Sequence, residues 1–268
     1  MKSNKSPGED GIISEFSQLF WETIKDEFIL LVCEIFKVKQ LSKSQNRGTL
    51  LFKSGERENI YNWRPLTLLN TDYKIIAKML AERLNSLLPN LIHSDQKDFV
   101  KGRNISEANR ILQDIIDYID QEEEEDILVF LNQQKAFDKV EWGWVDYVLN
   151  EFNFEENLRG WIKMLFNGAK TCIKTNGFIS KYFPISRSCG QGCSIAPLIY
   201  ILQIEPMACA LRGDSDKTGV KQPGEGDVYS LETKLCMFGN DTQIINKDEV
   251  NQSQANKKNI HFSCNIWH

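Results

Sequence analysis

Few side chains in this sequence are spaced for chemistry on their own. Cys189 and Cys193 could begin a zinc site, yet no second pair follows at metal-ligand spacing, so structural thiols are the better reading. His93, His261 and His268 are too dispersed to form a catalytic set. The carboxylates run together once, from Glu122 to Asp126, and an acidic run of that kind reads as a solvated loop or helix end. Asp138 and Glu141 form a D-x-x-E box, which opens a helix more readily than it does acid–base work. Lys101-Gly102-Arg103 sets two cations beside a glycine, a pattern suited to phosphate oxygens, though standing alone it is far more often a solvated loop. The turn Phe238-Gly239-Asn240-Asp241 carries one carboxylate and one amide between two apolar runs.

The surrounding elements set where those residues stand. The opening KSPGEDGI is turn-rich and reads as an extended lead-in. From Ser14, a plausible N-cap, apolar residues from Phe16 to Phe36 recur at helical steps and predict one long helix. Thr49 to Lys53 predicts a short strand closed by Ser54-Gly55. Asp72 can cap a second helix with Tyr73, Ile76, Met79, Leu80, Leu84, Leu87 and Leu88 inward, stopped by Pro89. Ser106 can cap a third, with Ile111, Leu112, Ile115, Ile116 and Ile119 inward. Ile127 to Leu131 is wholly apolar and reads as a buried strand. Asp138 then opens a helix carrying Val140, Trp144, Val145, Val148 and Leu149, and a shorter helix spans Leu158 to Phe166. A strand at Thr171 to Lys174, the Asn176-Gly177 turn and FISKYFPI predict a hairpin. Cys193 to Leu211 is long and apolar enough for a buried helix, Arg212 to Asp227 reads as a loop, and Lys234 to Met237 with Thr242 to Ile245 form a second hairpin. The tail from Asn246 has little apolar periodicity and reads as unstructured. This order is an α+β layout, helices packed on an antiparallel sheet.

Composition bounds the function. With 41% hydrophobic and 26% charged residues and 7 Pro in 268, the chain is neither collagen-like nor broadly disordered. Its longest apolar run, Phe28 to Cys33, is far short of the ~20 residues a membrane span needs. The first residues lack the apolar core of a secretory signal, and seven scattered cysteines suit reduced thiols. An intracellular chain with no membrane partner is the expectation. The net charge of −5 gives no general basic field for nucleic acid, so binding to one must rest on local features.

Five stretches in order carry a resemblance: SPGEDGI from Ser6, NWRPLTLLNTDYK from Asn62, DQKDFVKGRN from Asp95, FLNQQKAFDKVEW from Phe130 and GQGCSIAPL from Gly190. Together they resemble the reverse transcriptase of non-LTR retrotransposons, the long interspersed element type. FGND from Phe238 stands where that family keeps Tyr-Ala-Asp-Asp. The series runs from about Lys5 to Ile245, and it is the order and spacing, not any one motif, that make it specific.

The resemblance implies the fingers and palm of a right-hand polymerase without its thumb. Residues 1–125 would be fingers-like, 126–246 palm-like and 247–268 a polar tail. It implies RNA template, DNA primer and deoxynucleotide triphosphates as partners, and Mg²⁺ as cofactor. In such an enzyme two Mg²⁺ clamp the attacking and leaving oxygens of an in-line displacement, held by carboxylates. The three metal-binding aspartates of the family fall at Asn132, Asn240 and Asp241, so two are amides and Asp241 alone keeps its charge. Neither Gln133 nor Gln134 supplies a carboxylate in their place, Asp138 reads better as an N-cap, and no replacement is visible nearby. By the same resemblance Phe137 is the aromatic gate against the ribose 2′-hydroxyl or a core residue. Lys101 and Arg103 hold the triphosphate, Gln191 lies against nucleotide and template or bonds its own turn, and Arg64 is a fingers arginine or a structural cation. Further departures are Gly190 for Arg, Ser194-Ile195-Ala196-Pro197 for Pro-Leu-Ser-Pro, Asp98 for Gly, and Phe238 for Tyr.

Each Asp→Asn change needs one base transition, and neither the family's endonuclease nor its thumb has a counterpart in these residues. The expectation is a reverse transcriptase domain from a decayed element copy, with polymerase activity impaired or lost. The alternatives are a weakly active RNA-directed DNA polymerase rebuilt around Asp241 and a non-enzymatic nucleic-acid-binding module.

Overall fold

A computed structural model describes residues 6–41, 46–52, 55–122, 126–175, 177–215, 218–221 and 232–247. Ser54, Asn176, the glutamates 123–125, half of the expected 212–227 loop and the tail beyond Lys247, with His261, Cys264 and His268, lie outside the described residues. The helices are α1 (Ser14–Leu19), α2 (Trp21–Val38), α3 (Thr71–Leu91), α4 (Ile105–Glu122), α5 (Trp142–Glu151), α6 (Glu156–Phe166) and α7 (Ala196–Gly213). The strands are β1 (Asn46–Phe52), β2 (Trp63–Leu68), β3 (Asp126–Asn132), β4 (Lys170–Thr175), β5 (Phe178–Ile179), β6 (Phe183–Pro184), β7 (Val220–Lys221), β8 (Glu232–Thr233), β9 (Leu235–Phe238) and β10 (Asp241–Lys247). The mix of helices and strands read from the sequence holds, but the expected antiparallel sheet does not hold throughout, since β1 runs parallel to β4. Among the described residues no helix is long and apolar enough to cross a membrane.

The chain divides into two compact units, each made of two segments: Met1–Ser86 with Phe137–Tyr200, and Leu87–Ala136 with Ile201–His268. In the first, the sheet order is β2-β1-β4-β5, with β6 also pairing β4. β1 runs antiparallel to β2 and parallel to β4. Tyr73, Ile76, Leu80 and Leu84 of α3 are buried, as are Val145, Val148 and Leu149 of α5 and Ile162 and Leu165 of α6. Tyr73 closes its hydroxyl by donating to the Leu165 carbonyl at 3.1 Å.

In the second unit the sheet order is β3-β10-β9. Ile115, Leu128, Val220 and Ile245 form its buried cluster, with Ile111, Leu112, Ile116, Ile119 and Phe130 packed against it. The three- and four-residue steps along α4 therefore do what the sequence predicts, turning one stripe onto the sheet. Truncating the fully buried Ile115 to Ala would cost about 3 kcal/mol.

Several boundaries moved for local reasons. The single helix expected from Ser14 is two, because Phe20 (φ −98°, ψ 12°) leaves helical geometry between them. Ser14 lies inside α1, and Ile13 holds the cap position without a side-chain bond. Ser106 likewise lies inside α4; Asn104 caps it, its Oδ1 accepting from the Glu107 amide at 3.2 Å. Asp138 does not open α5: it sits in a 3-10 turn, Ala136–Asp138, and Glu141 precedes the helix. Pro89 falls in the last turn of α3, where it disturbs only the final bonds, so the helix runs past it. Leu87, expected inward, is 41% exposed. β10 continues through Asn246 to Lys247, paired with β3, where the sequence suggested an unstructured tail.

Candidate active site

β3 and β10 pair antiparallel so that Asp241, first residue of β10, stands opposite Asn132, last residue of β3. β10 also pairs β9, with Asp241 opposite Phe238, which leaves Gly239-Asn240 as a two-residue turn. Gly239 has φ +62°, and Asn240 is not among the positive-φ residues, the pattern of a type II′ turn with glycine at its first central position. The sequence thus brings Asn132, Asn240 and Asp241 to one end of one sheet. The Asn132 amide donates from Nδ2 to Asp241 Oδ1. Its amide must face this way, because Oδ1 turned toward a carboxylate would set two acceptors against each other. The Asn240 carbonyl accepts the Gln133 amide at 3.3 Å, and its side-chain Nδ2 reaches the Gln133 carbonyl at 3.5 Å.

Two residues that sequence reasoning missed complete this end. The segment leading out of α3 adds to the free edge of β9. Gln96 bridges Met237 in parallel, Lys97 N donates to the Met237 carbonyl at 2.8 Å, and Met237 N donates to the Asp95 carbonyl at 3.0 Å. This brings the Gln96 side chain, 1% exposed, against the turn. Its Nε2 donates to the Gly239 carbonyl at 3.2 Å, and its Oε1 accepts the amides of Gly239 and Asp98, each at 3.0 Å. Asp98 follows, its Oδ1 accepting the Phe99 amide at 2.9 Å. Burial pushes the Asp98 carboxyl up, the Phe99 amide partly opposes that, and the Asp241 charge raises it further. Asp98 is therefore a carboxylate near the turn, which corrects the sequence reading that none stands nearby. Its signal was present in the sequence as the replacement of a family glycine. Gln96 lies in the same DQKDFVKGRN stretch, where nothing marked a role for it.

The phosphate-binding candidates differ in what they offer. Lys101 is exposed in the loop after Asp98. Arg103 is committed to backbone. Its Nη1 donates to the His93 carbonyl at 2.6 Å and Gln96 at 2.9 Å, and its Nη2 to Ile92 at 2.9 Å and Pro89 at 3.4 Å. Of these Pro89 lies in the last turn of α3 and the other three just beyond its end, so Arg103 ties the helix end to the segment that leaves it.

The remaining candidates belong to the first unit. Phe137 is half-buried, its ring tilted on Tyr200 with centroids 4.9 Å apart, and its carbonyl accepts the Cys189 amide at 3.0 Å. Gln191 is half-buried and its carbonyl accepts the Thr67 amide at 2.9 Å, tying its loop to β2. Arg64 is exposed on β2. Cys189 and Cys193 are buried, and burial pushes both thiols up.

Asn132, Asn240 and Asp241 do not fit a pair of Mg²⁺. One carboxylate stands where the resemblance implies three, and one of its oxygens already accepts an amide N–H. Asp98 adds a second carboxyl, raised first by burial and further by the Asp241 charge, and the set still falls short of three carboxylates. Among the described residues no three His, Cys, Asp or Glu side chains converge as a metal cage.

The sequence pattern of the family described as reverse transcriptase (RNA-dependent DNA polymerase) matches residues 53–261. The Transposon TX1 uncharacterized 149 kDa protein of Xenopus laevis is 33% identical over 257 residues, 95% of this chain and 19% of that protein. The Retrovirus-related Pol polyprotein from type-1 retrotransposable element R2 of Popillia japonica is 23% identical over 206 residues, 76% of this chain and 28% of that protein. The chain thus spans less than a third of the length of these curated relatives. Among solved structures, apo telomerase from Candida tropicalis, truncated from its C-terminal domain, matches with a TM-score of 0.49 and 11% identity, over 86% of this chain and 49% of that one.

Proposed function

The chain belongs to the reverse transcriptase (RNA-dependent DNA polymerase) family of non-LTR retrotransposons, and on that premise we propose that it is a fingers-and-palm portion whose polymerase chemistry has been lost at the hairpin turn. In this reading β3, β10 and β9 are the palm strands, and the partners inherited from the family are an RNA template, a DNA primer and deoxynucleotide triphosphates. Lys101 is the cation left to meet a triphosphate, while Arg103 shapes the loop that presents it. Phe137 and Gln191 keep the family's nucleotide-facing places, and Arg64 its place on the fingers.

The observation that carries the reading is the hydrogen bond from Asn132 to Asp241. Two aspartates at these paired positions would repel each other and call for a cation between them. An amide opposite a carboxylate is self-satisfied and needs none. Loss of hydrogen-bonding partners around a metal site commonly costs ~10–100-fold in affinity or activity, and loss of two ligand charges costs more.

The test is primer extension on an RNA template with Mg²⁺ or Mn²⁺, native chain beside the revertant Asn132→Asp/Asn240→Asp. The native chain is expected to be silent and the revertant to extend. Extension by the native chain that disappears on Asp241→Ala would overturn the reading.

A further inference from the structure

We propose that Gln96 is a positioning residue that sets the backbone of the hairpin turn carrying Asn240 and Asp241. The proposal rests on the reading that this turn is the family's catalytic turn, and it names a side chain outside the metal-binding and nucleotide-facing positions. Gln96 stands on an extended segment, yet its amide bonds like a strand peptide. It gives one N–H to the Gly239 carbonyl and takes the Gly239 N–H on its oxygen. Both polar groups of the one turn glycine are thereby closed by one side chain, from 143 residues away in sequence.

The geometry singles out the turn. A two-residue turn satisfies its own peptide groups poorly, and the amide and carbonyl of Gly239 face away from the β9–β10 ladder. At 1% exposure no water replaces Gln96, so its removal leaves a buried donor and a buried acceptor on the residue just before Asn240. The clasp is held from below by the ladder between Asp95–Lys97 and Met237. The same Gln96 oxygen also accepts the Asp98 amide. One side chain therefore fixes both the turn and the first residue of the loop that leads to Lys101.

Two variants separate this role from core packing. Gln96→Met keeps the length and apolar stem and loses all three side-chain bonds. Gln96→Glu keeps the oxygen that accepts the Gly239 and Asp98 amides. Amide hydrogen exchange on the full native chain reads both. In Gln96→Met the Gly239 and Asp98 amides should exchange at least ~10-fold faster, while those of Leu128–Leu131 and Leu235–Met237 stay protected. In Gln96→Glu the Gly239 and Asp98 amides should stay within ~3-fold of native. Unchanged exchange in Gln96→Met, equal loss in both variants, or loss of structure throughout the chain by circular dichroism would each overturn the proposal. In the Asn132→Asp/Asn240→Asp background, Gln96→Met should lower kcat at least ~10-fold with KM for the nucleotide within ~2-fold, and an unchanged kcat in an active revertant also overturns it. A revertant that fails to extend counts against the proposed function, and the exchange result then decides the role of Gln96 alone.

Discussion

The carboxylate of Asp98 lies against Gly239, its Oδ2 2.8 Å from the point where a Cβ on that glycine would stand. By the resemblance, glycine is expected at the first position and alanine at the second; here the side chain stands on the first. The consequence is a carboxyl held close to Asp241 and raised, first by burial and then by that charge, with the Phe99 amide opposing. A carboxyl raised in the folded state binds its proton more tightly there than in the unfolded chain. It therefore favours folding below the ordinary Asp value of 3.8, and that advantage is lost as pH rises through the raised value. Asp98→Asn removes the neutral-pH penalty and keeps an acceptor for the Phe99 amide. Urea unfolding at about pH 7 should show the variant more stable by up to ~1 kcal/mol, with the gap closing near pH 4. A native chain that is the more stable at neutral pH would show Asp98 to be a favourable ion-pair partner instead.

What the sequence shows and hides follows from the range of the interactions. The stripe of Ile111, Ile115 and Ile119 is visible because its period belongs to α4 alone, and the Gly239-Asn240 turn because turn geometry is set by the turn residues. Asn132 and Asp241 were placed together through a resemblance, and the register then gave the pairing. Asp138 and Ser106 were misassigned as caps because both carry the cap chemistry, while a neighbour, Glu141 or Asn104, held the position at which the backbone turns. Arg103 sits in a phosphate-binding pattern, and only the folded chain places the end of α3 beneath it. Gln96 has no local signal at all, since its partner is Gly239.

Arg103 should behave as a helix-end clamp. Its planar fork reaches four carbonyls, and one ammonium has neither that span nor that geometry. Arg103→Ala is expected to cost about 2 kcal/mol, and Arg103→Lys to recover less than half of that. Lys101→Ala, on the exposed loop, should change stability by under ~0.5 kcal/mol. Denaturant midpoints of the three variants decide it. Equal losses at 101 and 103 would mean the carbonyl contacts contribute little.

Asn132→Asp tests the paired position without any polymerase assay. Two carboxylates directly opposite on antiparallel strands destabilise the pair, and the donated N–H is lost as well. In chelator the variant should unfold about 1 kcal/mol more easily than the native chain. Millimolar Mn²⁺ should recover that loss, because a cation that binds only the folded pair stabilises it by mass action. The native chain should be indifferent to Mn²⁺. A native chain stabilised as much as the variant would mean that Asp241 holds a cation with the amide in place.

Glu205 is 2% exposed on α7 and is sustained by Arg212, which it accepts directly, while Arg212 Nη1 donates to Asp95 Oδ2 at 3.0 Å. Burial works against the Arg212 cation, and the two carboxylates outweigh it, so its proton is held more tightly than usual. The His93 amide also reaches Glu205 Oε1, at 3.4 Å. This network ties the last turns of α7 to the segment that carries Gln96, so its loss should reach the hairpin. Glu205→Gln leaves Arg212 paired with Asp95 alone and is expected to cost about 2–3 kcal/mol. Glu205→Leu/Arg212→Leu removes the buried carboxylate together with its half-buried partner and should cost less than the sum of the two single Leu variants, because Arg212→Leu alone strands the buried Glu205 charge. A double-mutant cycle on the full chain measures the coupling. If the two changes are additive, the ion pair does not hold the segment, and the Asp95–Met237 ladder carries Gln96 by itself.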